Sequence, residues 1–129
     1  MTPPLLVWII DDDIVSLFAT RYGIEQWNSS CNVVDFDSAE IALKMLSDNL
    51  ETGDEIPDII LLDLVMPKMT GWEFLDKFEA IKGCSKKTDI YILSAFTNAK
   101  DREKARKNPL IKGYIEKPVS KLALDDVLV

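Results

Sequence analysis

Three observations predict an α/β fold, a doubly wound parallel sheet of five strands with helices on both faces. Short apolar runs alternate with helix-periodic segments along the whole 129-residue chain, as serial βα units do. The runs are apolar throughout instead of alternating with polar residues, which suits strands covered on both faces. Acids, a serine or a lysine stand directly after four of the five runs, and open α/β sheets gather function outside the carboxyl ends of their strands.

The first run, Leu5–Ile10, is rich in Val, Ile and Trp. Asp13 then opens a helix to about Trp27, with Leu17, Phe18 and Tyr22 expected to face inward. A second strand spans Cys31–Phe36. Asp37 or Ser38 caps the next helix, whose Ala39, Ala42, Leu43, Leu46 and Leu50 keep the spacing of one buried stripe. Asp48 to Pro57 reads as a polar, acidic connection of unusual length. Asp58–Leu62 is the third strand and runs into Asp63. After Pro67 and Gly71 a helix carries Phe74, Leu75, Phe78 and Ile81 on one stripe. Ile90–Leu93 is the fourth strand, Asn98–Lys107 a highly charged helix, Ile111–Ile115 the fifth strand, and Ser120 caps a short last helix. One domain over residues 1–129 is expected.

Composition excludes several function classes. The chain has no histidine, which removes Ser-His and Cys-His nucleophiles, most zinc sites and a phosphohistidine of its own. Cys31 and Cys84 lack metal spacing and are expected as reduced thiols. No apolar run reaches membrane-spanning length and no signal peptide opens the chain, so no membrane partner and a cytoplasmic location are expected. With a sequence pI near 4.5, nucleic acid is a poor partner. The charge is uneven. Residues 1–63 carry 13 acids and 2 bases, a net −11, while residues 64–129 carry 9 acids and 13 bases, a net +4.

The strand ends carry the chemistry. Asp11-Asp12-Asp13 follows the first strand, Asp63 ends the third, Ser94-Ala95 ends the fourth, and Lys117-Pro118 follows the fifth. Carboxylates converging within several ångströms repel and raise one another's pKa. A hard divalent cation resolves that repulsion, and Mg²⁺ prefers such oxygen ligands. Alone, Asp11–Asp13 would serve as an acidic helix start, Lys117 as a solvated charge and Ser94 as a strand-end hydroxyl. Their joint placement on four strand ends is what points to a site.

The segments Ile9-Ile10-Asp11-Asp12-Asp13, Leu62-Asp63-Leu64-Val65-Met66-Pro67-Lys68-Met69-Thr70-Gly71, Leu93-Ser94-Ala95 and Tyr114-Ile115-Glu116-Lys117-Pro118 closely resemble response-regulator receiver domains of two-component signalling, chemotaxis regulators among them. The resemblance covers essentially the whole chain. It implies a flavodoxin-like sheet of order 2-1-3-4-5 and a cis Lys117-Pro118 bond. It implies Asp63 as phosphoacceptor, with Asp12 a direct Mg²⁺ ligand, Asp11 a ligand mainly through water and the Val65 carbonyl a third protein ligand. Lys117 and Ser94 would contact the phosphoryl group, and Tyr114 would be the aromatic switch beside Ser94. Val65 and Phe96 would border the approach of hydrolytic water. The donor would be a histidine kinase or histidine phosphotransfer protein, and a downstream protein would bind the face made by the fourth helix, fifth strand and fifth helix.

Such a domain is not an enzyme in the ordinary sense, since it catalyses only its own phosphorylation and dephosphorylation. An aspartyl-phosphate hydrolase of the haloacid dehalogenase type would need an acid where Val65 stands. A flavin-binding relative would need a phosphate loop where three aspartates stand. A receiver that binds without being phosphorylated is the remaining rival. Thr70, where an acid is common in the family, is expected to be tolerated in a loop. The absence of a following output domain suits either a stand-alone regulator or a receiver from a longer protein.

Overall fold

The computed structural model describes residues 4–53, 55–81, 88–94 and 99–128. Its elements run β1 (Leu6–Ile10), α1 (Ile14–Trp27), β2 (Asn32–Phe36), α2 (Ala39–Thr52), β3 (Ile59–Asp63), α3 (Gly71–Ala80), β4 (Asp89–Ser94), α4 (Ala99–Lys107), β5 (Ile111–Glu116) and α5 (Lys121–Leu128). The strands pair in parallel in the order β2-β1-β3-β4-β5. The order reverses beside β1, so a crevice opens between the ends of β1 and β3.

Successive strand side chains point to opposite faces, and here both faces are covered. Leu6, Trp8, Ile10, Ile60 and Leu62 pack with Leu43 and Leu46 of α2 and Phe74 and Phe78 of α3. Val7, Ile9, Ile59 and Leu61 pack with Leu17 and Ile24 of α1 and Leu124 of α5. This division explains why β1 and β3 are apolar without alternation.

Two expectations are corrected. Phe18 and Tyr22 face outward, each 66% exposed, and the buried stripe of α1 is Leu17, Thr20 and Ile24. The helix carries two apolar stripes, and the inward one is set by how α1 lies on the sheet. The acidic 48–57 connection is also shorter than expected. The helix α2 continues to Thr52 and ends at Gly53, whose φ of 81° makes a left-handed cap that glycine adopts without a Cβ penalty. Ser38, rather than Asp37, caps the start of α2 by accepting from the Ile41 N–H.

Thr70 does more than sit in a loop. It caps α3, its Oγ1 accepting from Glu73 N at 3.2 Å while Glu73 Oε1 accepts from Thr70 N at 3.1 Å, a reciprocal capping box. The next residue, Gly71, has no room for a side chain. A Cβ there would lie 2.7 Å from the Asp63 carbonyl oxygen and 2.8 Å from the Leu64 Cα. The first turn of α3 therefore rests directly on the backbone of Asp63.

Candidate functional site

The sheet register brings the chemistry together. The pairings Ile10↔Leu62, Asp63↔Leu93 and Ser94↔Glu116 align the ends of β1, β3, β4 and β5 along one edge. Asp11, Asp12 and Asp63 each offer a carboxylate oxygen, and these oxygens all lie within 4.8 Å of one another. Asp13 turns away, its Oδ1 capping α1 by accepting from Val15 N at 3.0 Å and Ser16 N at 3.4 Å.

The three clustered acids sit in different surroundings. Asp11 is fully buried. Its Oδ2 accepts from Lys117 Nζ at 2.6 Å and its Oδ1 from Asp13 N at 3.0 Å. Burial pushes its pKa up, but the hydrogen bonds from Lys117, Ser16 and the Asp13 backbone, with the Lys117 charge, outweigh this and hold it below the usual carboxylate range. Asp63 lies deep in the crevice at 7% exposure. Its Oδ1 accepts from Val65 N at 3.2 Å, and its Oδ2 stands 3.6 Å from Lys117 Nζ. Burial pushes the Asp63 carboxyl up to about 6; the Lys117 charge opposes this and the neighbouring Asp11 adds to it. Asp12 is exposed at the crevice mouth.

Crowding was expected to raise all these carboxyls together. Asp63 is raised mainly by burial, with Asp11 adding to it, while Asp11 stays low because Lys117 makes its short bond with Asp11 and keeps Asp63 at a longer distance. Lys117 is positioned by its own backbone, whose N–H donates to the Ser94 carbonyl at 3.0 Å, and the Lys117-Pro118 bond is cis.

Ser94 is buried at the end of β4. Tyr114 packs against the core on the α2/α3 side, and its hydroxyl is buried without a hydrogen-bond partner among the described residues. Burial raises the pKa of that phenol, with the Asp101 charge adding and the Arg102 charge opposing. The Val65 side chain is 74% exposed beside the crevice. Ala95 and Phe96 lie outside the described residues, as does Cys84. Cys31 is a buried free thiol whose pKa burial pushes up.

Three contacts were not read from the sequence. Arg21 of α1 pairs with Asp35 of β2 at 2.5 Å. Trp27 Nε1 donates to Asp125 Oδ1 at 2.6 Å, tying α1 to α5. Lys104 Nζ of α4 stands 4.4 Å over the Trp72 ring of α3. The capping box carries a sequence signal, Thr70-x-x-Glu73, but these three pairs join distant elements and leave none.

The profile of the family described as "Response regulator receiver domain" matches residues 7–128. This chain belongs to that family. It is a receiver domain of two-component signalling. It is 33% identical over 115 residues to the transcriptional regulatory protein YdfI of Bacillus subtilis (strain 168), covering 88% of this chain and 48% of that protein. The receiver thus spans about half the length of that curated relative. A two component response regulator from Cytophaga hutchinsonii superposes with a TM-score of 0.88 at 26% identity, covering 97% of this chain and 94% of the other. A response regulator receiver protein from Dyadobacter fermentans DSM 18053 gives 0.84 at 28% identity, covering 96% and 94%. Among the described residues, no helix is long and apolar enough to cross a membrane.

Proposed function

We propose that Asp63 accepts a phosphoryl group from a phosphohistidine on a histidine kinase or phosphotransfer protein, in a reaction that depends on Mg²⁺. The observation that carries this reading is the setting of Asp63, a deep carboxylate with a lysine ammonium 3.6 Å away and two further acids clustered about it.

The donor set fits a hard divalent cation. Three carboxylates so close together make a strongly negative pocket, and burial, with Asp11 adding to it, already raises the Asp63 carboxyl. Asp12, Asp63 and the Val65 carbonyl would hold the ion directly, and Asp11 through water. When bound, Mg²⁺ supplies positive charge for the carboxylates and the phosphoryl oxygens.

An Asp63 carboxylate oxygen attacks phosphorus in line; the new O–P bond forms as the N–P bond to the donor imidazole breaks. Lys117 lies within reach of a phosphoryl oxygen near Asp63 and would balance charge there. The Ser94 hydroxyl would donate to another phosphoryl oxygen, and Tyr114 would respond by shifting toward Ser94. Val65 and Phe96 would border the water that later hydrolyses the acyl phosphate.

Surfaces support the partners. Beside the crevice, α1 exposes Ile14, Val15, Phe18 and Tyr22, each more than half exposed, an apolar patch of the kind that marks protein contact. At the other side, a cavity of about 320 Å³ between α4 and β5 is lined by Arg102, Arg106 and Lys112 around Ala105, Ile111 and Tyr114. From Lys100 to Lys121 there are 8 bases and 3 acids. An acidic downstream protein at the α4-β5-α5 face fits that charge.

The test is incubation with acetyl phosphate and Mg²⁺, followed by intact-mass measurement. One phosphoryl group should add to the wild type and none to Asp63→Asn or to the wild type with EDTA. A wild type that gains no mass would favour a receiver that signals by binding alone.

A further inference from the structure

Helix α4 is joined to the first turn of α3, next to the acceptor loop, by a contact that neither its sequence nor its family membership announces. Helix α4 buries Ala105, and its other side chains are largely charged. Arg102 forms an exposed pair with Glu116 of β5 at 3.3 Å. On the other flank the Lys104 ammonium lies 4.4 Å over the ring of the half-buried Trp72. A cation over an indole face is held by the ring quadrupole.

Trp72 is not an arbitrary anchor. It follows Gly71, whose Cα faces the Asp63 carbonyl with no room for a Cβ and whose N–H donates to the Leu64 carbonyl at 3.0 Å. The capping box at Thr70 and Glu73 then makes this turn of α3 a stiff unit. A displacement of the loop that follows Asp63 must carry Gly71, and with it the indole ring, because packed backbone at that distance cannot yield locally.

We propose that the Trp72–Lys104 contact is a latch that holds α4 in its resting position and that loosens when the loop after Asp63 rearranges. This rests on Asp63 being the phosphoacceptor. Phosphorylation then reaches α4 along the chain Asp63, Gly71, Trp72 and Lys104, in parallel with Ser94 and Tyr114. Breaking the latch by substitution reproduces part of the signal without any phosphoryl group.

Amide hydrogen exchange on the full chain tests this. In the unmodified protein, Lys104→Met, which keeps an apolar stem and removes the charge, should speed exchange in residues 100–107 about two- to fivefold. Lys104→Arg, whose guanidinium also stacks on indole, should restore wild-type protection. Trp72→Leu should match Lys104→Met in α4, and the double variant should go no further. Exchange in β1 and β3 should not change in the Lys104 variants. After acetyl phosphate and Mg²⁺, wild type should approach Lys104→Met and the gap should close. Unchanged α4 exchange in Lys104→Met, additive effects in the double variant, or a gap that persists in phosphorylated protein would each overturn the latch. Intact mass separates the two levels. A protein that gains no mass loses the phosphoacceptor reading and the coupling with it, whereas one that gains mass and keeps the gap loses only the coupling.

Discussion

Replacing Asp63 by Asn should stabilise the metal-free receiver near neutral pH, although it removes the acceptor. The folded protein raises the Asp63 carboxyl from 3.8 to about 6. Between those values the native state holds a proton that the unfolded chain has released, so stability falls as pH rises through this window. Below 3.8 the effect is absent, and above about 6 it is complete. The gap between the two values corresponds to about 3 kcal/mol at about pH 7.5, and to about 0.5 kcal/mol at about pH 4.

Asparagine has the same shape and keeps an oxygen for the Val65 N–H, while Lys117 keeps its 2.6 Å bond to Asp11. Its amide N–H group faces the Lys117 ammonium, a donor against a donor, where the wild-type carboxylate had an attractive partner, which costs about 1 kcal/mol. The net expectation is about 2 kcal/mol at about pH 7.5, or about 6–10 °C in Tm for a domain of this size. Urea and thermal melts of both proteins in EDTA measure it. At about pH 4 the advantage should vanish, because the wild-type carboxyl is then protonated in the folded state and the remaining gain of about 0.5 kcal/mol does not exceed the cost of about 1 kcal/mol for the amide. Excess Mg²⁺ should narrow the gap at neutral pH by binding the wild type more tightly. A variant no more stable than wild type at about pH 7.5, or equally advantaged at both pH values, would refute the reasoning.

Asp11→Asn should act oppositely and destabilise by about 2 kcal/mol in urea melts, since it deprives a largely buried Lys117 of its short-range partner. The depressed pKa of Asp11 contributes stability above its unfolded pKa that is lost as pH falls through the folded value, so this penalty should shrink in acid. Asp12→Asn should weaken Mg²⁺ binding, followed by Trp fluorescence, more than Asp11→Asn does; equal affinities would contradict direct against water-mediated ligation. Gly71→Ala should cost about 1–3 kcal/mol, because its Cβ would meet backbone and not a yielding side chain, and it should also slow phosphorylation; a neutral effect on both would show that the acceptor loop moves freely. Val65→Asn with Phe96→Glu should hasten loss of the phosphoryl group about tenfold or more, by supplying polar groups that orient water; decay no faster than wild type would remove these positions from that role.

Much of this receiver is local information. The uninterrupted apolar strands, the single stripe of α2 and the strand-end positions of Asp11, Asp63, Ser94 and Lys117 are written in residue order, because side-chain periodicity and strand polarity follow from backbone geometry alone. Where two local patterns competed, the chain was not enough. Helix α1 carries the stripe of Leu17, Thr20 and Ile24 and a bulkier one through Ile14, Phe18 and Tyr22, and docking on the sheet buried the first. Asp48 to Thr52 looks like a loop because a solvent-facing helix turn is equally polar, and helix propagation with Gly53 as its cap carried α2 through it.

The electrostatics were decided in three dimensions. Nothing in the order of residues says which acid takes Lys117, 106 positions away from Asp11. The sheet sets that ammonium 2.6 Å from Asp11 and 3.6 Å from Asp63. Coulomb and hydrogen-bond energies fall steeply over that ångström, and burial magnifies the difference. One carboxyl is thereby fixed as an anion and the other left costly to ionise, and a similar packing of helix against helix brings Lys104 over Trp72. Sequence names the groups; the distances between elements, set by how whole helices and strands pack, decide what each group does to the next.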